Sequence, residues 1–175
     1  GDVTLKAQGS MTQSTNVITA DVLEIEAEGS LSLRTDVSAA KIQTKGVGAV
    51  TLTQTTSKKL ELQDLDVFDG SLTVSASGIV EATDVLLNTD RDTNDIAITA
   101  GSDLLIRSLV AGTYATGSGD LPTVKNKDNL TQNITLTSVT SQGDVTLTSG
   151  GKIKESFTDT DVDLVADKLT MTAVS

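Results

Sequence analysis

Short segments in which an aliphatic residue alternates with a small or polar residue recur along the whole chain. They begin at Val3, Leu23, Val50, Leu72, Ile96, Val145 and Leu169. Successive side chains of a strand point to opposite sides, so a period of two is typical of a β-strand that buries one face. No window carries apolar residues at helical spacing, and β-branched residues are frequent. The pattern therefore predicts an all-β protein without helices.

The spacing of these segments indicates a repeat. Their starting positions are separated by 20, 27, 22, 24, 49 and 24 residues. A weaker copy at Leu121 would divide the longest interval into two ordinary ones, although Pro122 argues against it because a strand paired on both sides needs every backbone amide. Residues 112–133 are therefore predicted to form either an irregular rung or a protruding loop.

Each interval contains a turn and two further short alternating runs. A typical case is the turn Glu28-Gly29-Ser30 followed by Leu31-Ser32-Leu33; Gly and Ser suit tight turns because they allow positive φ or a local hydrogen bond. Three short strands per turn predict a right-handed parallel β-helix (a β-solenoid) of about seven rungs, with residues 1–175 as a single segment. Equivalent strands would stack about 4.8 Å apart, and the hand follows from the general preference of parallel crossovers.

The inward residues of the repeats are expected to stack into two aliphatic ladders. A narrow interior agrees with the composition of two Phe, one Tyr and no Trp, because a globular core is usually filled with large side chains. The first predicted ladder contains Val3, Leu23, Val50, Leu72, Ile96, Val145 and Leu169, and the second contains Leu5, Ile25, Leu52, Val74, Ile98, Leu147 and Met171.

Two other all-β architectures fit the pattern less well. An antiparallel sandwich needs hairpins, and of the dipeptides that favour tight hairpins only Asp69-Gly70 occurs. A left-handed solenoid of hexapeptide repeats would have a rigid period of about 18 residues, whereas the intervals here vary.

The charge and composition exclude several classes of partner. Lys and Arg total 13 against 24 Asp and Glu, which gives a net charge of −11. No basic face is available to bind nucleic acid or an anionic membrane surface. No apolar run approaches the roughly 18 residues of a membrane span, so membrane insertion is not expected, and the absence of Cys excludes disulfides and Cys-ligated metals.

Three stretches carry a family resemblance. They are Ala20-Asp21-Val22-Leu23-Glu24-Ile25-Glu26-Ala27-Glu28-Gly29-Ser30-Leu31, Gly143-Asp144-Val145-Thr146-Leu147-Thr148-Ser149-Gly150-Gly151-Lys152-Ile153 and Ala166-Asp167-Lys168-Leu169-Thr170-Met171-Thr172-Ala173. Their cadence of alternating strand, Gly-containing turn and second short strand resembles filamentous haemagglutinin-type exoproteins, the bacterial adhesins exported by two-partner secretion. The resemblance covers most of the chain outside residues 112–133.

The resemblance implies a stiff segment of a large secreted surface adhesin. It implies export across a bacterial outer membrane by a secretion partner, an extracellular location at the cell surface, and attachment to a receptor on host cells or other surfaces, whether protein or glycan. The chain starts at Gly1 with no signal peptide, and neither end carries the polar cap of a solenoid. Together with the lack of the family's secretion-signal motifs, this predicts an excerpt from a longer repeat array.

Two acidic stretches and two sequons are candidate sites. Asp90, Asp92 and Asn94 alternate like the first ligands of a calcium loop, but Asp95 and Gly101 stand where an EF-hand requires Gly and Glu. A solvated turn is the favoured interpretation there and in residues 159–163. Asn129 and Asn133 begin Asn-X-Thr sequons, which arise easily by chance in a Thr-rich chain. The sequence therefore predicts no metal site, cofactor or catalytic residue.

Outward-facing threonine pairs suggest one alternative function. The pairs are Thr51/Thr53, Thr146/Thr148 and Thr170/Thr172, and a flat array of stacked threonines can bind ice. The same face is expected to carry Thr4/Lys6, Glu24/Glu26 and Ala97/Thr99, which would interrupt such an array. Thr is also simply suited to the exposed surface of a sheet, so the ice-binding solenoid stands as an alternative.

A polysaccharide-active β-helix enzyme is the other alternative. Acid–base catalysis needs titratable groups that converge in a cleft, whereas the chain has no His and its arginines, Arg34, Arg91 and Arg107, lie far apart in sequence. Aromatic residues that would line a carbohydrate groove are also scarce. The sequence therefore predicts a protein without enzymatic activity, whose function is structural and adhesive.

Overall fold

A computed structural model of the protein describes residues 1–88, 96–111, 123–126, 134–136, 139–141, 145–149, 153–155, 164–165 and 169–173. All regular secondary structure in these residues is β-strand, as predicted. No helix in this described part is long and apolar enough to cross a membrane.

The strands follow one another at short intervals. Up to residue 111 they are β1 (Val3–Ala7), β2 (Met11–Thr12), β3 (Ile18–Ala27), β4 (Leu31–Thr44), β5 (Val50–Gln54), β6 (Leu60–Val67), β7 (Leu72–Ala76), β8 (Val80–Ala82), β9 (Val85–Leu87), β10 (Ile96–Ala100), β11 (Leu104–Ile106) and β12 (Leu109–Ala111). Beyond it they are β13 (Thr123–Asn126), β14 (Ile134–Leu136), β15 (Val139–Ser141), β16 (Val145–Ser149), β17 (Ile153–Glu155), β18 (Leu164–Val165) and β19 (Leu169–Ala173).

The strands pair in parallel with the equivalent strands of the next turn and form three sheets. The first sheet contains β2, the beginning of β4, β5, β7 and β10, and continues through β13, β16 and β19. The second contains the beginning of β6, then β8, β11, β14 and β17. The third contains the end of β6, then β9, β12, β15 and β18.

This arrangement confirms the predicted parallel β-solenoid with three short strands per turn. The residues up to Ala111 make about five turns, and β13, β16 and β19 continue the stack beyond them, so the number of turns differs only slightly from the seven rungs predicted for the whole chain. The handedness of the coil stays a prediction.

In the first turns, the second and third sheets are not yet separate. There β1, the end of β3 and the end of β4 run unbroken along both sheets. The pairing between β4 and β6 shifts between Ala40 and Lys41, because Ala40 pairs with Leu62 while Lys41 pairs with Asp64. Gln63 is therefore an extra residue in β6, and in the following turns the chain breaks at this place into separate strands.

The two predicted aliphatic ladders were right from Val50 and Leu52 onwards, where their members pair in register from turn to turn, but wrong in including the residues of β1 and β3. Leu23 pairs with Val3 and with Ala40, in the second sheet, whereas Val50 pairs with Leu31 and Leu72, in the first. The repeated sequence motif therefore moves from one sheet to another between residues 27 and 50. The reason is β4, whose 14 residues contain no glycine turn and supply strands to all three sheets.

The predicted inward side chains of the central turns are nonetheless buried, whereas Met171 in β19, which was also predicted to be inward, is 55% exposed. The core is aliphatic, and its members include Leu23, Ile25, Val50, Leu52, Leu72, Val74, Ile96 and Ile98, each at most 2% exposed. Val3 and Leu5 are partly buried against it. Each fully buried Leu, Ile or Val contributes roughly 1.5–3 kcal/mol of transfer free energy, so the inward rows supply the main stabilisation.

Glycines stack at the corner that leads into the first sheet. A Cβ on Gly48 would lie 2.7 Å from the carbonyl carbon of Gly29, and one on Gly70 would lie 2.2 Å from the carbonyl oxygen of Gly48. Gly70 also has φ of 155°, which L-residues rarely adopt. Asp69-Gly70 is thus part of a solenoid corner, where Asp69 forms a parallel bridge with Val47, and not a hairpin turn.

The interval for which both a rung and a loop were predicted is described in part. Strand β13 begins at Thr123, the residue after Pro122, and pairs with β10 on one side and β16 on the other. The remainder of residues 112–133 lies outside the described residues.

Candidate functional surface

The outer side of the first sheet carries two aligned rows in which most residues are small and bear a hydroxyl, and we call this surface the hydroxyl face. The first row runs through Thr12, Ser32, Thr51, Thr73 and Ala97, with Thr123, Thr146 and Thr170 at the next register positions. The second row runs through Arg34, Thr53, Ser75 and Thr99, followed by Lys125, Thr148 and Thr172.

The side chains of this face are open to solvent wherever they are described. Ser32, Thr73 and Ser75 are exposed, and Thr51 and Thr53 are partly exposed. Between them, at alternate positions, lie buried residues such as Leu52 and Val74. The outward rows are therefore fixed by the same alternation that anchors each strand in the core.

The predicted interruption of this face by charged residues was largely wrong. Thr4 pairs with Glu24 and Lys6 with Glu26, and β3 then pairs with the end of β4, away from the first sheet. Of the expected interruptions, only Ala97 remains in the rows. The sequence also missed Arg34, because residues 31–35 do not carry the repeated motif although they occupy a layer of the first sheet.

The displaced charges form a network on the face that β1, β3 and β4 share. The Lys6 ammonium lies 2.9 Å from Glu26 Oε2, and Lys45 contacts Glu26 Oε1. The hydrogen bond from Lys45, followed by that from Lys6, lowers the pKa of Glu26 to about 2, and the hydrogen bond to Glu26 raises the pKa of Lys6. This network joins three successive turns of the coil.

A second ion cluster surrounds Glu81, a carboxylate that is only 7% exposed. Lys59 Nζ lies 2.5 Å from its Oε2, and Arg107 Nε lies 2.5 Å from its Oε1. The hydrogen bond from Lys59 lowers the pKa of Glu81 against the opposing effect of burial, and the hydrogen bond from Arg107 adds to the lowering. The cluster again connects three turns, and it engages one of the three arginines.

Most residues that were weighed as sites lie outside the described residues. These are Asp90, Asp92, Asn94, Arg91, the acidic run at 159–163, and the sequon residues Asn129 and Asn133. In the part that is described, no group of three or more His, Cys, Asp or Glu is placed to hold a metal ion. Arg34 lies on the hydroxyl face and Arg107 follows β11 in the second sheet, so these two arginines do not share a face.

The three parallel sheets, the aliphatic core and the regular outward rows define a β-solenoid repeat protein. No protein-family model matches the chain, and neither the curated proteins nor the solved structures contain a match. The resemblance to filamentous haemagglutinin-type exoproteins therefore stays a prediction from the sequence.

Proposed function

We propose that this chain is a structural and adhesive segment of a large secreted bacterial surface adhesin of the filamentous haemagglutinin type. The solenoid serves as a stiff rod, and its outward side chains bind a receptor on host cells or other surfaces. The proposal places the protein outside the cell, exported with the help of an outer-membrane secretion partner, and assigns it no catalytic activity.

The observation that carries the proposal is the pairing of each strand with equivalent strands in the turns before and after it. In the first sheet, β5 pairs with β4 and β7, and β7 pairs with β10. Because each turn of a solenoid contacts only its neighbours, such pairing can continue over any length without changing the core. This property suits a supporting rod, and the two ion networks each connect three turns of it.

The ion cluster at Glu81 does not have the properties of a catalytic acid. Glu81, the most buried carboxylate described in an ion cluster, is held by Lys59 and Arg107, which lowers its pKa. A general acid needs the opposite shift, towards neutral pH. In this proposal the receptor is held by polar side chains of the outer faces.

An adhesion assay with the purified chain tests the proposal. Fluorescent beads coated with the chain should adhere to cultured animal cells or to glycan-coated surfaces more than beads coated with an inert protein of similar negative charge. Adhesion no greater than that of the control beads on every surface would contradict it. Incubation with a panel of polysaccharides should release no reducing ends.

The gene that encodes the chain provides an independent test. We expect a reading frame that repeats the same alternating cadence over many more turns, with a gene for an outer-membrane transporter nearby. A short reading frame limited to this stretch would contradict the adhesin assignment while leaving the β-solenoid unaffected.

A further inference from the structure

We propose that the hydroxyl face binds the surface of ice. The ligand is a lattice of ordered water, and the site is the pair of aligned rows on the first sheet, centred on Thr51, Thr53, Thr73 and Ser75. This activity is distinct from receptor binding, and it rests on the strand register and not on the family resemblance.

The hydroxyl face is periodic in two directions. Parallel strands stack about 4.8 Å apart, and residues two apart along a strand are separated by about 6.7 Å. Thr51 pairs with Thr73, and Thr53 pairs with Ser75, without a register shift. The rows thus present hydroxyl groups on a two-dimensional grid whose spacings are close to the repeats of the ice lattice. A periodic surface of this kind matches a periodic ligand.

The grid combines hydroxyl and methyl groups. Threonine offers a hydroxyl, which donates and accepts hydrogen bonds, beside a methyl group, which water can enclose but not bind. In the described part of the first row, Thr12, Ser32, Thr51 and Thr73 carry hydroxyls, and Ala97 retains the methyl. Water can therefore be anchored by hydroxyls and ordered around methyl groups in one layer.

The grid is also rigid. The central strands β5 and β7 are paired on both sides, and their inward residues Leu52 and Val74 are each 1% exposed. β-branched side chains are also restricted in χ1. Because these side chains are already ordered, they lose little conformational entropy when the face binds ice. A preorganised array of this kind favours binding.

Other occupants of this face fit less well. A sugar-binding face usually offers aromatic rings for stacking, and neither described row contains an aromatic residue. A second copy of the chain would bring together two molecules of net charge −11, which repel each other. The central part of the grid is uncharged, as a surface for neutral water requires.

Ice-affinity partition tests the proposal directly. The purified chain is mixed with an inert fluorescent protein, ice is grown slowly from the solution, and the fraction of each protein in the ice is measured. We expect enrichment of the chain in ice and a measurable thermal hysteresis. Exclusion of the chain from ice to the same degree as the inert protein would overturn the proposal.

A double variant identifies the face. Thr51→Tyr with Thr73→Tyr keeps residues that favour strands but makes the centre of the grid uneven. We expect the partition into ice to fall at least about tenfold. Thr19→Tyr is the matched control, because Thr19 is exposed and pairs with Asp36, away from the grid. Circular dichroism must show unchanged β content for both; unchanged partition of a folded double variant would contradict the site.

A variant that is expected to increase ice binding tests the site without disrupting it. Arg34 is exposed and interrupts the second row next to Thr53. Arg34→Thr extends that row by one position and should increase thermal hysteresis. A folded Arg34→Thr variant with reduced activity would contradict the grid. The adhesion assay is run above 0 °C, where no ice is present, so it measures receptor binding alone. Either proposal can therefore fail without the other.

Discussion

The side-chain amide of Gln54 takes the place of a neighbouring strand for Val37. Gln54 Nε2 donates to the carbonyl oxygen of Val37 over 2.7 Å, and the Val37 amide donates to Gln54 Oε1 over 3.2 Å. The Thr35 hydroxyl donates to the same oxygen over 3.0 Å. All three residues are buried, so one glutamine satisfies backbone groups that water does not reach.

Replacing Gln54 should therefore destabilise the fold strongly. In Gln54→Ala, the buried Val37 amide and carbonyl lose their partners, and each unsatisfied group costs about 1–3 kcal/mol. We expect the free energy of unfolding to fall by about 2–4 kcal/mol, measured by urea denaturation. Gln43→Ala is the control, since Gln43 is exposed on β4; an equal loss in both variants would contradict the role of the amide.

The glycine corner should not tolerate a side chain. A Cβ on Gly48 would approach the Ser30 amide nitrogen to 2.5 Å, so Gly48→Ala must displace the backbone of the preceding turn. We expect a loss of about 1–3 kcal/mol in thermal or chemical unfolding. At Gly9 a Cβ would meet nothing within 4 Å, and Gly9→Ala should change stability by no more than about 0.5 kcal/mol.

The core of the first sheet offers a matched pair of adjacent residues. Leu72 is fully buried, whereas Thr73 is exposed on the same strand. Leu72→Ala should lower the free energy of unfolding by about 2–5 kcal/mol because it leaves a cavity between turns. Thr73→Ala should have an effect of about 0.5 kcal/mol or less. Comparable losses in the two variants would contradict the assigned register.

The Glu81 cluster should make the free energy of unfolding depend on pH in the acidic range. The folded pKa of Glu81 is lowered from 4.5, so its contribution is present above pH 4.5 and is lost as the pH falls through the folded pKa. We expect Glu81→Gln to cost about 1–2 kcal/mol at neutral pH, because Lys59 and Arg107 are themselves about half exposed.

The difference between Glu81→Gln and the unmodified protein should shrink below pH 4.5. Melting temperatures recorded from pH 7 to pH 3 measure this convergence. Glu28→Gln, which changes an exposed carboxylate, is the control. A difference that stays constant over the whole range would show that the Glu81 ion pairs do not stabilise the fold.

The alternation of residues predicts the strands and the buried side of each, because inward and outward positions differ in hydropathy at every second residue. Leu72 and Val74 illustrate this: both were expected to be inward, and both are buried. The repeat interval and the glycine turns then lead to the solenoid, since parallel strands linked by short turns have few other arrangements.

The assignment of strands to sheets could not be obtained in the same way. Val3-Thr4-Leu5 and Val50-Thr51-Leu52 have the same sequence, yet they belong to different sheets. The alternating pattern of a strand shows only that one of its faces is buried. Because all three sheets bury aliphatic residues, the pattern does not distinguish them. The length of β4 determines which sheet each later copy of the motif joins. The local alternation of residues does not reveal that length.

The same ambiguity in assigning strands to sheets explains why the hydroxyl face was predicted to be interrupted by charges. The sequence repeat predicts that Glu24 and Glu26 interrupt it, because they occupy the same positions of the motif as Thr51 and Thr53. The pairing of β3 with the end of β4 removes them from it, and the pairing of Ser32 with Thr51 adds a hydroxyl instead. A single error in register thus changed the expected chemistry of an entire surface.

The extra residue at Gln63, opposite the junction of Ala40 and Lys41, shows how this architecture can acquire new parts. The pairing resumes on either side, with Leu62 beside Ala40 and Leu65 beside Ile42, so the added length is absorbed at one corner. Corners of this kind are natural insertion points. A loop, a tag or a whole binding module could be grafted between β8 and β9 while the core of every other turn keeps its register.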